Sequence, residues 1–119
     1  MTKRRITWLT PEEAWELIAP YPTADKFVRP AMHIGPISIS IQASRTHYST
    51  PRVDGVNLND CASVEVAIFD EDGEFCHPSK IGVRGFNRYF ASDHIAGYMP
   101  ITAVKSMLSA LWRKHGVGR

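Results

Sequence analysis

The clearest pattern along the chain is the alternation Ile37-Ser38-Ile39-Ser40-Ile41-Gln42. A strand turns successive side chains to opposite faces, so the isoleucines share one face and Ser38, Ser40 and Gln42 share the other. This predicts a half-buried strand over 37–43, with a register well specified because a one-residue slip would expose every isoleucine. A second alternation sets Val64, Val66 and Ile68 against Ser63, Glu65 and Ala67 and predicts a strand over 62–69. Asp70-Glu71-Asp72-Gly73 then reads as a tight turn, since Asp-Gly accepts positive φ. Residues 74–77 are expected to return as a third strand stopped by Pro78, and 95–99 to form a fourth. The intervening 79–94 has no steady period and is expected to be mainly loop.

Helical spacing occurs toward both ends. Thr10-Pro11-Glu12-Glu13 is a helix start: Thr10 caps, Pro11 suits the first helical position, and Glu13 completes a capping box. Trp15, Leu17 and Ile18 give this short helix an apolar side, and Pro20 and Pro22 end it. Ahead of it, 3–9 is expected to form a short strand. Behind it, 23–36 reads as a connection with a helical turn near 24–28, in which Phe27, Val28 and Met32 are packing residues. Near the C-terminus, Ile101, Val104, Met107, Leu108, Leu111 and Trp112 recur at three- and four-residue steps, one apolar stripe. Arg113, Lys114 and His115 suit the negative end of that helix's dipole, and Gly116 is a fitting C-cap with Val117 beyond it.

Strands grouped between helices imply an α+β fold. The expected architecture is a three- to four-stranded antiparallel sheet, with a short N-terminal helix and a C-terminal amphipathic helix packed on one face, that of the isoleucines. The whole of 1–119 is expected to be a single domain: a helical N-terminal segment over 1–36, an antiparallel meander over 37–99 and a C-terminal helix over 100–116.

Composition narrows the function classes. The chain has 119 residues, 44% hydrophobic and 22% charged, which is the make-up of an ordinary soluble domain. A formal net charge of +2 does not by itself imply nucleic-acid binding. Charge is unevenly placed, though: Lys3, Arg4 and Arg5 at the front, Arg113, Lys114 and Arg119 at the back, and acidic residues in Asp70-Glu71-Asp72-Gly73-Glu74. Cys61 and Cys76 are too few for a disulfide framework and are expected to be buried free thiols. No apolar run approaches a membrane span, and the basic N-terminus leads into a charged, proline-interrupted segment unlike a signal peptide. The expected location is therefore cytoplasmic, in a reducing compartment.

Groups able to bind something are densest in Ala43-Ser44-Arg45-Thr46-His47-Tyr48-Ser49-Thr50-Pro51-Arg52. Metal chemistry finds little support, because His47, Cys61, Cys76 and His77 lack paired ligand spacing. Ser44 or Cys61 with His47 would make a nucleophile and base, but no flanking nucleophile elbow accompanies them. No catalytic residue, cofactor or metal is therefore assigned. Gly82-Val83-Arg84-Gly85 does not match a phosphate-binding loop, which needs Gly-Lys-Ser/Thr entering a helix. A binding surface is the better reading. Arg45, His47, Tyr48, Pro51 and Arg52 would form it, supported by Arg84, Phe86, Arg88 and Tyr89 if both segments sit at the same end of the sheet. Arginine makes bidentate contacts to phosphate or carboxylate, and aromatic rings stack on bases or anchor protein contacts. The polar loop 53–60 is expected to be functional or mobile.

Ala43-Ser44-x-x-His47-Tyr48-x-x-Pro51-Arg52, then Ser63-Val64-Glu65-Val66, then Gly97-Tyr98-Met99-Pro100 before a helix ending His115-Gly116, resembles a family of small bacteriophage-encoded proteins. The likeness covers 37–116 in pieces, departs from the family's pattern in 53–60 and 70–78, and leaves out the first third of the chain. It implies a non-enzymatic binding protein of the anti-defence or host-takeover type. Such a protein would inhibit a bacterial defence system, as anti-CRISPR proteins do, or a host factor. The alternative it leaves open is a sponge for a nucleotide signal, or a nucleic-acid-binding protein. Partners would be a bacterial protein or a nucleotide, in the host cytoplasm, with homo-oligomerisation compatible with either.

Overall fold

The structure, a computed structural model, describes residues 9–20 and 28–116. Four strands form one antiparallel sheet in chain order: β1 (Met32–Ile34), β2 (Ile37–Gln42), β3 (Ser63–Phe69) and β4 (Ile95–Pro100). Helix α1 (Pro11–Ile18) precedes the sheet and α2 (Ile101–Leu111) follows it, an α+β arrangement. Among the described residues no helix is long and apolar enough to cross a membrane. The strand expected over 3–9, the turn near 24–28, Phe27, the basic Lys3, Arg4 and Arg5, Val117 and Arg119 lie outside the described residues, apart from Leu9 and Val28.

The start of α1 is as the sequence predicts. Glu13 N–H donates to Thr10 Oγ1 at 3.1 Å, and Thr10 N–H donates to Glu13 Oε1 at 2.8 Å. Two otherwise unpaired donors are satisfied reciprocally. Replacing Thr10 by alanine is expected to cost about 1 kcal/mol of stability, read from the urea midpoint at constant slope. The apolar side differs from expectation. Pro11, Ala14, Trp15 and Ile18 are buried, one stripe at steps of three, four and seven. Leu17 lies about 200° around the helix from Trp15 and is 66% exposed.

β1 was not expected, since 1–36 reads as helical and connecting. Met32-His33-Ile34 nevertheless continues the alternation of β2 backwards across the two-residue turn Gly35-Pro36, in register Met32↔Ile39 and Ile34↔Ile37. Gly35 takes φ +57, which a hairpin turn of this length favours. Met32 and Ile34 are buried, whereas Val28, expected to pack, is 57% exposed.

The third strand expected over 74–77 does not form. Phe69 and Phe75 make a single isolated bridge, and Pro78 opens a 3-10 turn (Pro78–Ile81) that leads away from the sheet. The turn itself is well made. The Asp70 carboxylate accepts from Glu74 N–H at 3.0 Å and Asp72 N–H at 2.9 Å, and pairs with Lys80 at 3.4 Å. Those bonds, that from Glu74 first, hold Asp70 below the ordinary carboxylate range despite some desolvation. The neighbour of β3 is instead β4, after two short 3-10 turns, Pro78–Ile81 and Asn87–Tyr89.

Ile37, Ile39 and Ile41 share one buried cluster with Val64, Val66 and Ile68 of β3 and with Val104, Met107, Leu108 and Leu111 of α2. Cross-strand pairs Ile39↔Ile68 and Ile41↔Val66 set the register of the central strands. α2 stops short of the expected Gly116 cap: its α-helical bonding ends at Leu111, and Trp112–Gly116 is a wider π turn. That turn lets His115 Nε2 donate to Ile81 O at 2.7 Å and brings the His115 backbone oxygen against Gly35.

Candidate functional site

Residues 43–52 leave the end of β2 and cross toward the start of β3, the sheet end at which β4 also finishes. The crossing is braced from within. Ser44, fully buried, places Oγ 2.6 Å from His47 Nδ1 and 3.0 Å from Thr46 Oγ1, and accepts from Thr46 N–H at 3.1 Å. A serine and histidine at that distance have the spacing of a nucleophile and base. Here the hydroxyl is closed off from solvent and held by its own turn, so the contact is a clasp. Arg45 pairs with Asp54 at 3.2 Å, and the same carboxylate accepts Arg45 N–H at 3.1 Å. Arg52 Nε donates to His47 O at 3.1 Å. Thr50 bridges to Ser63, with Thr50 N–H donating to Ser63 O at 3.0 Å and Ala62 N–H to Thr50 O at 2.8 Å. Pro51 is exposed and follows a cis bond.

Tyr48 is the large apolar side chain of this stretch that faces outward. Its N–H donates to Glu65 Oε2 at 3.2 Å, and its carbonyl accepts Tyr98 N–H at 2.9 Å. β4 is bulged where this occurs. The pairs Val64↔Met99 and Val66↔Ala96 leave Gly97 and Tyr98 opposite Glu65 alone. Tyr98 takes φ +55 and so turns away from the regular pleat. Its ring stacks on Tyr48, with centroids 5.6 Å apart and planes at 27°, while the Arg52 guanidinium stands 5.1 Å from the Tyr48 ring centre. Gly97 supplies the room: a Cβ there would lie 3.1 Å from Tyr48 Cβ and 3.2 Å from Cδ2. Tyr48 and Tyr98 remain 51% and 49% exposed. Neither phenol hydroxyl bonds to another described residue.

Arg84, Phe86, Arg88 and Tyr89 are not beside them. They belong to the long connection from the end of β3 to the start of β4, which leaves the sheet from the opposite end. Among the described residues no hydrogen bond, ion pair or ring contact joins 45–52 to 84–89. The expected joint surface is therefore two surfaces. Phe86 and Tyr89 are partly buried against the core. Arg88 stacks on Tyr89 at 4.6 Å and donates to Tyr89 Oη at 2.9 Å and Gly85 O at 2.9 Å.

The loop 53–60, expected to be functional or mobile, is pinned in its second half. Leu58 is buried and donates its N–H to Ala19 O at 2.9 Å, and Asn59 Oδ1 accepts from Trp15 Nε1 at 2.8 Å. Beneath it lies the residue that sequence reasoning passed over, Arg29, only 2% exposed. Its guanidinium donates to Ile18 O at 2.8 Å, Ala19 O at 3.0 Å, Ala43 O at 3.2 Å and Val56 O at 2.5 Å. Its backbone N–H and carbonyl are both bonded to the Gln42 side chain, at 2.7 and 2.9 Å. Arg29 thus ties the end of α1, the exit of β2 and the loop before β3, and sets where residues 43–52 begin. Burial lowers its pKa from the ordinary arginine value, with Cys61 opposing, yet arginine stays charged in proteins.

Cys61 and Cys76 are free and buried, as expected. Burial pushes both thiols up; Arg29 opposes the rise at Cys61, and Asp70 adds to it at Cys76. His77 Nδ1 and His94 Nδ1 lie 2.8 Å apart, one donating to the other, with the Phe90 ring edge-on to His77. Among the described residues no three of His, Cys, Asp and Glu come together as metal ligands would.

Sequence reasoning named Tyr48 and Arg52 but missed Tyr98, the other half of the aromatic pair. The signal was Gly97-Tyr98 inside a strand, since a glycine there marks a bulge or a close approach. Comparison with family models, curated proteins and solved structures finds no match.

Proposed function

We propose that the chain is a non-enzymatic binding protein whose contact surface is the Tyr48–Tyr98 pair with Arg52, and whose target is a bacterial defence or host protein. The observation that carries this reading is the paired half-exposed rings on a braced support. Tyrosine and arginine are enriched among the residues that dominate binding energy, because they combine large apolar area with directed polar groups. Here two phenol hydroxyls are available to a partner, and the ring positions are set in advance by backbone bonds to Glu65 and between Tyr48 and Tyr98. Preorganisation lowers the ordering cost of association. Pro51 and Val53 are exposed next to the pair in sequence and extend the apolar area. The phage resemblance supplies the class of target, and a bacterial cytoplasm would be the setting.

Tyr48→Ala with Tyr98→Ala is the test. The loop is anchored through the backbone of Tyr48, so the double variant is expected to keep its melting temperature within a few degrees. Capture of a protein partner from bacterial lysate should fall by roughly 30-fold or more, as loss of about 2 kcal/mol at a binding hot spot implies. Equal capture by the folded variant overturns the surface assignment. Co-purification of a nucleotide in place of a protein turns the reading to the signal-sponge alternative.

A further inference from the structure

We infer that the pocket between α1 and α2 binds a small zwitterion with an apolar body, the chemistry of a free apolar α-amino acid or a dipeptide.

The pocket has a volume of about 300 Å³. Small-ligand sites begin at about this size. None of its described lining residues belongs to the tyrosine pair or to 84–89. Its base is apolar and buried: Pro11 and Trp15 from α1 and Leu108 from α2. Its rim is polar. Glu12 and Glu16 stand on the α1 side, Lys105 and Ser109 on the α2 side, and Asn59 on the loop before β3.

Each wall follows from helical spacing. Glu12 and Glu16 are four residues apart and so are neighbours on one face of α1, as are Lys105 and Ser109 on α2. Two carboxylates at that spacing repel, so a cation between them relieves both. The facing wall carries the opposite sign. Among the described residues no ion pair joins Lys105 to either carboxylate, and the cavity keeps the two signs apart. A ligand that brings both an ammonium and a carboxylate satisfies the two walls at once. A simple cation or a simple anion would meet like charge on one of them.

The base is held in place before a ligand arrives. Trp15 Nε1 donates to Asn59 Oδ1 at 2.8 Å, which fixes the indole and leaves the Asn59 amide nitrogen as a donor at the rim. Lys105 Nζ stands 5.1 Å from the Trp15 ring centre, a cation–π contact that keeps the ammonium at the pocket. Such preplacement lowers the ordering cost of binding. The ligand carboxylate would take Lys105, with the Asn59 amide and the Ser109 hydroxyl as further donors. The ligand ammonium would take Glu12 and Glu16, and the apolar body would lie on Trp15 and Leu108.

Isothermal titration calorimetry on the full chain tests this, with leucine and leucyl-leucine as probes. At least one is expected to bind at millimolar concentration or below, and the tighter of the two assigns the source of the zwitterion. The N-acetyl form of that probe lacks the ammonium, and its C-terminal amide form lacks the carboxylate. Each should bind roughly tenfold more weakly or worse, because a charge-assisted contact is lost. Glu12→Gln with Glu16→Gln should lower affinity by a similar factor and abolish the penalty for N-acetylation. Lys105→Met should do the same for the penalty of the amide form. Those paired losses read the contact itself, which a general loosening of the fold would not reproduce. Tyr48→Ala with Tyr98→Ala should bind the probe as the wild type does, so the fate of the tyrosine surface is read separately. The inference is overturned by a wild-type chain indifferent to both probes, by a blocked form that binds as tightly as the free one, or by folded Glu12/Glu16 or Lys105 variants that bind equally well. Loss of probe binding in the tyrosine variant would overturn it too, by placing the site elsewhere.

Discussion

Replacing Arg29 by methionine is expected to destabilise the protein by about 3–5 kcal/mol, the range for removing one partner of a buried charged network. Methionine preserves much of the apolar stem, so the loss reads the guanidinium. Ala19 O would keep its bond from Leu58 N–H, while Ile18 O, Ala43 O and Val56 O would each lose the Arg29 donor. A buried carbonyl left without a donor costs about 1–3 kcal/mol. The loss is comparable to a third or more of a small domain's total stability, about 5–15 kcal/mol. Lysine keeps the charge but offers one compact ammonium with three donors, which does not span carbonyls on three separate segments. Arg29→Lys is therefore expected to fall between wild type and methionine. Urea denaturation followed by circular dichroism reads all three. A methionine variant within about 1 kcal/mol of wild type would show that water or local rearrangement replaces the guanidinium, against the role assigned to it.

Gly35→Ala is expected to cost roughly 2–5 kcal/mol, from two separable sources. Gly35 sits at φ +57, where an L side chain costs about 1–2 kcal/mol. A Cβ at this position would also overlap the His115 backbone oxygen. Overpacking of this kind costs about 1–3 kcal/mol more, because backbone moves less readily than a side-chain tip. Gly73 is the internal control: φ is +80 and nothing lies within 4 Å of its would-be Cβ. Gly73→Ala should therefore show the conformational cost alone. Equal losses at the two positions, by the same urea measurement, would mean that the π turn after α2 does not rest on the β1–β2 turn. A larger loss at Gly35 supports that docking.

These two residues show why part of the fold was legible and part was not. The isoleucine alternation, the valines of β3 and the stripe of α2 are local periodic signals, and each predicts an element from spacing alone. β1 escaped because three residues between Pro30 and Pro36 are too few to establish a period. The strand expected over 74–77 failed for the converse reason: a good turn signal at Asp70-Glu71-Asp72-Gly73 says nothing about whether the returning segment outcompetes β4 for the edge of β3. Leu17 was misplaced because being apolar on a short helix is weaker information than its angle around the axis. At the site, chemistry-rich residues were recognisable by type, but whether 45–52 and 84–89 meet depends on which end of the sheet each connection leaves.

The sequence by itself determined the α+β class, the capping box of α1, the core-facing residues of β2 and β3, and the dense polar stretch after β2. Local propensity and periodicity are sufficient for those. Only the tertiary structure decided that Arg29 is the buried tie, that Tyr98 turns out of a bulge to stack on Tyr48, and that the π turn after α2 rests on the β1–β2 turn. Each of these rests on contacts between segments distant in the chain, and such contacts follow from packing and backbone hydrogen-bond satisfaction across the whole fold.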